Sequence, residues 1–115
     1  MKIDITKTPL AKYKHFTSVN LPFELDCVTE NNQPDVVFYY VESIKEVMRA
    51  LNESLNHKWN EKRICLVFKK KQKSFHMNHI MSVIDSSSFI KKRQPMLKSI
   101  DIHFSFITIE VLRNE

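Results

Sequence analysis

Glycine is absent from this chain of 115 residues, whereas average usage of about 7% would give roughly eight. The absence excludes the G-x-G-x-x-G dinucleotide fingerprint, the Walker A loop, the G-x-S-x-G nucleophile elbow and the glycine of an EF-hand loop. It also disfavours close backbone approach to a pyrophosphate, because every residue carries a Cβ. We therefore predict no cofactor. Tight turns with positive φ are expected at asparagines instead, at Asn31, Asn32, Asn56 or Asn60.

Cysteine is also scarce, and long apolar runs are missing. Cys27 and Cys65 are too few for a disulfide scaffold and stand in apolar runs, where a free cysteine acts as a small hydrophobe. No apolar run approaches the 18 or so residues of a membrane span. The first 15 residues lack the apolar region of a secretory signal. We expect a cytoplasmic protein with no membrane partner.

Acidic residues are depleted in the second half of the chain. The whole protein has a net charge of +5, and residues 62–98 carry ten basic side chains against the single Asp85. Such a segment attracts polyanions or an acidic protein surface at low salt. The alternative is a solvated, lysine-rich surface that only keeps the protein soluble.

Two apolar runs, residues 35–41 and residues 63–68, are rich in β-branched and aromatic side chains, which is typical of strands covered on both faces. Between them, Ser43 and Glu46 have the spacing of a helix capping box. Apolar residues then follow at helical spacing, at Ile44, Val47, Met48, Leu51 and Leu55. The pattern predicts a helix that fades at residues 56–57, within a β-α-β unit whose two strands are parallel neighbours.

Shorter patterns extend this unit. Further strands are predicted over 13–20, 23–29 and 100–112. Further helices are predicted over 75–84, and over 88–94 before Pro95. Together they predict a single α/β domain over residues 1–115, with a mixed sheet of four to five strands and two to three flanking helices. Residues 1–12 are interpreted as an N-terminal arm or a short strand.

The lysine run after the second buried strand is the best candidate site. Ligands of open α/β sheets bind outside the carboxyl ends of parallel strands, and the following helix, capped by Ser74, would present free N–H groups to an anion. A second basic run would extend the patch. The predicted anion-binding residues are Lys69, Lys70, Lys71, Lys73, Ser74, Lys91, Lys92 and Arg93.

Other chemistry has weaker support. Phe75, His76 and Phe89 would stack on nucleic-acid bases beside these lysines, but no nucleic-acid-binding motif accompanies them, and a core role for both phenylalanines is the stronger interpretation.

His76 and His79 share a helix face and would need His103, His57 or Asp101 to complete a metal site. We predict no metal site and no catalytic residue, since Cys65 lies within an apolar strand. Trp59 is expected to pack on the core, with a partner-binding anchor as the alternative.

The order of these segments resembles a small, uncharacterised bacterial family of Rossmann-like domains. The resemblance rests on Asn20-Leu21-Pro22 after a strand, on the run from Asp35 to Ser43, on Leu66-Val67-Phe68-Lys69-Lys70, and on the run from Ile100 to Phe106. It covers about 90 residues, and each piece is short. The chain departs from the family pattern where glycine and proline would follow the second strand. The resemblance implies a β-α-β sheet and no assigned activity.

The leading functional hypothesis is a small non-enzymatic intracellular domain whose basic strand-end surface binds an anionic ligand or partner. A protein-interaction or oligomerisation module, using the aromatic residues of the final strand or Trp59, is the first alternative. A small enzyme derived from a nucleotide-binding fold is the second.

Overall fold

A computed structural model of the chain describes residues 8–25, 32–56, 58–72, 75–87, 89 and 91–112. These residues form a small α/β domain with one five-stranded mixed sheet and two α-helices, as predicted. The strands are β1 (Phe16–Val19), β2 (Val36–Tyr40), β3 (Arg63–Lys69), β4 (Met96–Ser99) and β5 (Phe104–Glu110). Their order across the sheet is β1-β2-β3-β5-β4.

The predicted β-α-β unit is confirmed. β1, β2 and β3 are parallel neighbours, and the α1 helix (Ile44–Leu55) connects β2 to β3. The Ser43 half of the predicted capping box forms, because Ser43 Oγ accepts a hydrogen bond of 3.3 Å from the Glu46 amide. The Glu46 carboxylate accepts from the Glu42 amide, one residue before the cap. The helix ends at Leu55, beside the predicted end. Local sequence signals therefore determined this unit.

The face that α1 buries differs from the predicted stripe. Ile44 and Met48 are 45% and 53% exposed, whereas the sheet-facing residues are Val47, Ala50, Leu51 and Ser54. The buried face includes a polar contact, since Ser54 Oγ donates a 2.8 Å hydrogen bond to the fully buried Glu61 carboxylate.

Only part of the run predicted as a final strand, residues 100–112, forms a strand, and that strand is β5. β5 begins at Phe104 and pairs with β3 on one side and with β4 on the other. A turn over residues 100–103 joins β4 to β5. Asp101 closes this turn, because its carboxylate accepts hydrogen bonds of 2.8 Å from the amides of His103 and Phe104. An Asx-type turn of this kind interrupts an otherwise strand-like run of β-branched residues.

The predicted helix over 88–94 is wrong in the described part of that range. Lys91 instead forms an isolated antiparallel bridge with Val111, and residues 92–94 are not helical. The strand predicted over 23–29 is also wrong where it is described, since residues 23–25 belong to no strand, and residues 26–29 lie outside the described residues. In both places contacts with the sheet overrode a weak local pattern.

The α2 helix (Met77–Ser86) follows β3. Its N-cap is His76 rather than the predicted Ser74, which lies outside the described residues. His76 Nδ1 accepts from the Asn78 amide at 3.3 Å, and His79 Nδ1 accepts from the His76 amide at 3.2 Å. Two histidines thus perform the reciprocal capping that Ser and Glu usually provide.

Positive φ angles occur at Asn20 (60°) and Lys71 (61°). The predicted asparagines do not adopt them where they are described: Asn56 has φ −83°, and Asn32 and Asn60 are not among the positive-φ residues. Asn31 lies outside the described residues. The residue type was correct at one turn, but the sequence did not indicate which turns would need this conformation.

The sheet separates two hydrophobic clusters. α1 and α2 cover one face, where Val37, Leu66 and Ile107 are buried. On the other face Phe38, Phe106 and Leu10 are fully buried. Leu10 belongs to a 3-10 helix (Pro9–Lys12), so the described part of the predicted N-terminal arm packs on the sheet. No helix in the described ranges combines the length and hydrophobicity needed to cross a bilayer.

Candidate functional site: a lysine surface at the carboxyl end of the third strand

The end of β3 and the start of β5 build the candidate site together. Lys69 pairs with Phe104 in the antiparallel register, and the Lys70 amide donates a 2.8 Å hydrogen bond to the His103 carbonyl. This pairing places the β3–α2 loop beside the β4–β5 turn. A cavity of about 440 Å³ lies between them. We call this region the lysine surface; its lining residues are Lys69, Lys70, Lys71, Ile102, His103 and Phe104.

Lys70 has a structural role within this surface. Its ammonium group donates to Ser99 Oγ and to the backbone carbonyl of Asp101. It therefore ties the β4–β5 turn to the end of β3. Lys69 and Lys71 are exposed and remain the two lysines of the surface that project into solvent.

Lys71 occupies a conformation that usually selects glycine. Its φ of 61° lies in the left-handed region, which costs an L-residue with a side chain roughly 1 kcal/mol. The turn is closed by Gln72, whose side-chain amide donates a 3.2 Å hydrogen bond to the Lys69 carbonyl. A lysine thus stands in the loop where nucleotide-binding sheets place glycine, so an approaching anion meets side chains rather than open backbone.

The lining of the lysine surface carries no acidic side chain among the described residues. Asp101 lies next to it, but its carboxylate is engaged by two backbone amides of the turn. Desolvation raises the pKa of Asp101, but these amide hydrogen bonds, together with the charges of His103 and Lys70, outweigh it and lower the pKa below its usual value. Asp101 therefore stays ionised while being occupied as a turn acceptor.

Phe104, which lines the cavity, packs against two further aromatic rings. The Phe104 ring lies 4.6 Å from the Phe23 ring and 6.3 Å from the Tyr40 ring, centre to centre. Burial raises the pKa of Tyr40 to about 12, with the carboxylates of Glu42 and Glu46 acting in the same direction. The carboxyl end of the sheet is therefore acidic beside β2 and basic beside β3.

The second predicted basic run does not extend this surface. Lys91 bridges to Val111 and its ammonium group lies 2.9 Å from the Asp85 carboxylate. Lys92 and Arg93 lie 3.8 and 3.6 Å from the Glu110 carboxylate. Since Phe104 and Glu110 are the two ends of β5, the runs are separated by about 20 Å at 3.3 Å per residue. The prediction that the two basic runs form one continuous patch is wrong. Because β5 is antiparallel to β3, the start of β5 lies beside Lys69 and its end, Glu110, lies beside the first residue of β3.

The remaining predicted site residues have mixed outcomes. Lys73 and Ser74 lie outside the described residues. Phe75 and Phe89 are 4% and 7% exposed, so neither is a stacking platform, and the core role weighed for them in the sequence is confirmed. His76 is occupied in the helix cap.

The structure also shows the surroundings of Trp59 and Cys65. Trp59 packs partly against the helix-side cluster, with the Lys58 ammonium 5.4 Å from its ring. Cys65 is fully buried. In the described ranges no three His, Cys, Asp or Glu side chains are grouped so that they could hold a metal ion.

Sequence reasoning missed Ile102, His103 and Phe104. They follow the lysines by more than thirty positions and meet them only through β3–β5 pairing. The available signal was the Asp101 turn, which places an exposed residue at 102.

Comparison of the chain with protein-family models, with curated proteins and with solved structures found no match. The resemblance to a Rossmann-like family therefore stays a prediction.

Proposed function

We propose that the chain is a small non-enzymatic cytoplasmic domain that binds an anionic ligand or an acidic partner at the lysine surface. The observation that carries this proposal is the composition of the cavity: three lysines, one histidine and two apolar residues, with no acidic side chain among the described lining residues. A cavity lined by charges of one sign concentrates ions of the opposite sign.

The geometry favours a loose contact made through side chains. Lys69 and Lys71 are exposed, and Lys70 is held back by the β4–β5 turn. Exposed lysines gain most of their affinity for a polyanion by releasing bound counterions, so the contact weakens as salt rises. Tight coordination by backbone amides is disfavoured, because the loop contains no glycine and Lys71 already occupies the strained position.

The test compares two charge reversals of equal size. In the doubly substituted Lys69→Glu, Lys71→Glu protein, binding of fluorescently labelled heparin at low salt should weaken by about tenfold or more. The control, Lys14→Glu with Arg49→Glu, alters the net charge equally at two exposed positions outside the lysine surface. It should retain nearly the wild-type affinity. Equal losses in the two proteins would mean that heparin senses only net charge, and no binding by the wild type at low salt would reject the proposal.

A second candidate function, self-association or protein interaction, is favoured by one separate observation. β4 is an edge strand of the described sheet, and its Met96 and Leu97 are 43% and 49% exposed. The aromatic residues first considered for this role are less suitable, since Phe106 is fully buried and Phe104 is half-buried. An edge strand with exposed apolar side chains is a template for further pairing.

Sedimentation equilibrium at rising protein concentration tests the homo-oligomer form. A dimer that is lost on substitution of Leu97→Lys would support it, with Lys14→Glu as the control. A strict monomer at high concentration would reject self-association and leave the lysine surface unaffected.

A further inference from the structure

A second cavity, of about 420 Å³, lies at the opposite end of the sheet. Segments far apart in sequence converge on it through backbone pairing. The Asp35 carbonyl accepts from the Lys62 amide at 2.8 Å, the Val111 amide donates to the Lys62 carbonyl at 2.9 Å, and the Lys92 amide donates to the Glu110 carbonyl at 2.7 Å. The polar and aromatic lining residues are Lys12, Tyr13, Asp35, Lys62, Lys92 and Glu110.

A buried ion pair lies at this cavity. Glu110, which lines it, is 9% exposed, and its partner Arg63 is 6% exposed. Arg63 Nη2 lies 3.2 Å from Glu110 Oε2. The side chains of Lys92 and Arg93 approach the same carboxylate at 3.8 and 3.6 Å. One carboxylate is therefore shared by three cations, and the cluster has an excess of positive charge.

Stability alone does not account for this cluster. Burying two ions costs desolvation energy that their attraction often fails to recover, so an apolar pair of similar volume is commonly as stable or more stable. Arg63 Nε is buried and has no hydrogen-bond partner within the described residues. Its guanidinium carbon lies 6.0 Å from the centre of the Tyr13 ring. Buried donors normally have partners, but Arg63 is not itself a lining residue of the cavity. The cations that do line it are Lys12, Lys62 and Lys92, and they indicate that an anion would be attracted there.

The lining also contains acceptors. Asp35 is half-buried and lines the cavity together with Glu110. A fully deprotonated polyanion would be repelled by these carboxylates, whereas a ligand with its own O–H or N–H would donate to them. The cations Lys12, Lys62 and Lys92 would at the same time neutralise its charge.

We propose that this amino-end cavity binds a small anion that also carries a hydrogen-bond donor, of the class represented by protonated phosphate. The site is separate from the lysine surface and differs from it in chemistry. Its charges are partly buried and of both signs. The lysine surface has a cavity of similar volume, but no carboxylate lines it among the described residues, which suits a polyanion.

The experiment uses inorganic phosphate and sulfate as probes on the full chain at neutral pH. The two anions have similar size and shape, but phosphate keeps a P–OH donor at this pH and sulfate has none. Isothermal titration calorimetry measures affinity, and backbone amide NMR shifts locate the contact. Wild-type protein should bind phosphate about tenfold more tightly than sulfate, since a carboxylate that faces an anion without a donor is left without a hydrogen bond.

Two double variants test whether phosphate binds at this cavity. Lys62→Gln with Lys92→Gln removes two exposed cations from the amino-end cavity and should weaken phosphate binding by about tenfold. Lys45→Gln with Arg49→Gln removes the same charge at two exposed positions of α1 that line neither this cavity nor the lysine surface, and should leave phosphate affinity unchanged. Amide shifts should concentrate at Tyr13, Asp35 and Val111.

Several results would overturn the inference. Equal affinity for phosphate and sulfate would show that only net charge is sensed. Shifts centred on Lys69 to Lys71 would place the anion at the lysine surface, and would contradict this site while supporting the first proposal. No phosphate binding at millimolar concentration, or full binding by the Lys62→Gln, Lys92→Gln protein, would also reject it.

Discussion

Both ends of the sheet carry several cations, but the two ends differ in how those cations are buried and paired with carboxylates. At the carboxyl end, Lys69 and Lys71 are exposed, and no carboxylate lines their cavity among the described residues. At the amino end, Arg63 is buried and three cations approach the single carboxylate of Glu110. The first arrangement leaves its positive charge unpaired and available to an outside partner, whereas in the second a buried carboxylate neutralises part of the positive charge.

The comparison shows that basic residues that are adjacent in the sequence do not always form one basic surface in the structure. Lys69–Lys71 is a cluster in both senses. Lys92 and Arg93 belong to a sequence run, but in space they join Arg63 and Glu110. Burial and pairing therefore decide what each run can do.

The largest expected effect comes from breaking the buried pair. Glu110→Ala leaves the Arg63 guanidinium buried without its carboxylate, and should lower the free energy of unfolding by about 3–5 kcal/mol. Urea denaturation followed by circular dichroism measures the change.

The matched control for that change replaces both partners. Arg63→Met with Glu110→Leu removes the two charges together and should cost far less than the single substitution. If the single and double variants lose equal stability, the contrast between a paired and an unpaired buried charge is wrong for this site.

A smaller and opposite effect is expected in the β3–α2 loop. Lys71→Gly relieves the left-handed strain at φ 61°, offset in part by the greater freedom of glycine in the unfolded chain, and should stabilise the protein by about 0.5–1 kcal/mol. It should also weaken heparin binding by removing an exposed cation.

Lys69→Gly is the control, because Lys69 ends a strand and glycine there destabilises. Thermal unfolding of both variants distinguishes them. A Lys71→Gly protein that is less stable than the wild type would show that the side chain of Lys71 contributes packing that exceeds its backbone strain.

The smallest effect concerns the turn beside the lysine surface. The pKa of Asp101 is lowered from its ordinary value of 3.8 in the folded protein. Its ionised carboxylate therefore adds stability at pH values above 3.8, and this contribution disappears as pH falls through the lowered folded pKa. Asp101→Ala should be less stable than wild type at pH 7, and the difference should shrink in acid.

Urea denaturation of the wild type and of Asp101→Ala at several pH values measures this convergence. Asp85→Ala serves as the comparison, since Asp85 is an exposed partner of Lys91. A stability difference for Asp101→Ala that stays unchanged as pH falls from 7 to well below 3.8 would contradict the role of its charge.

Much of the fold followed from local patterns. The apolar runs at 35–41 and 63–68 became β2 and β3, and the Ser43–Glu46 box started α1. These signals are strong because a buried strand and a capped amphipathic helix each need only neighbouring residues to be recognised. The patterns at 23–29 and 88–94 were wrong where they are described, since each covers only seven residues, and contacts with the rest of the fold easily override so short a pattern.

The candidate sites were predicted only in part. Lys69, Lys70 and Lys71 do line a cavity, as expected for residues after a parallel strand. Ile102 and His103 could not be assigned to it, because the length of β5 and the turn at Asp101 decide which residue faces Lys69. The amino-end cavity has no sequence signature at all, since it combines residues 12, 35, 62 and 110.

The sequence by itself determined an α/β domain without glycine, with its charge concentrated after residue 61 and a lysine run at the end of a buried strand. Those properties depend on composition and on residues within a few positions of each other. Only the tertiary structure decided that the two basic runs lie at opposite ends of the sheet. Strand order and direction set that distance, and both follow from packing between segments that are remote in sequence.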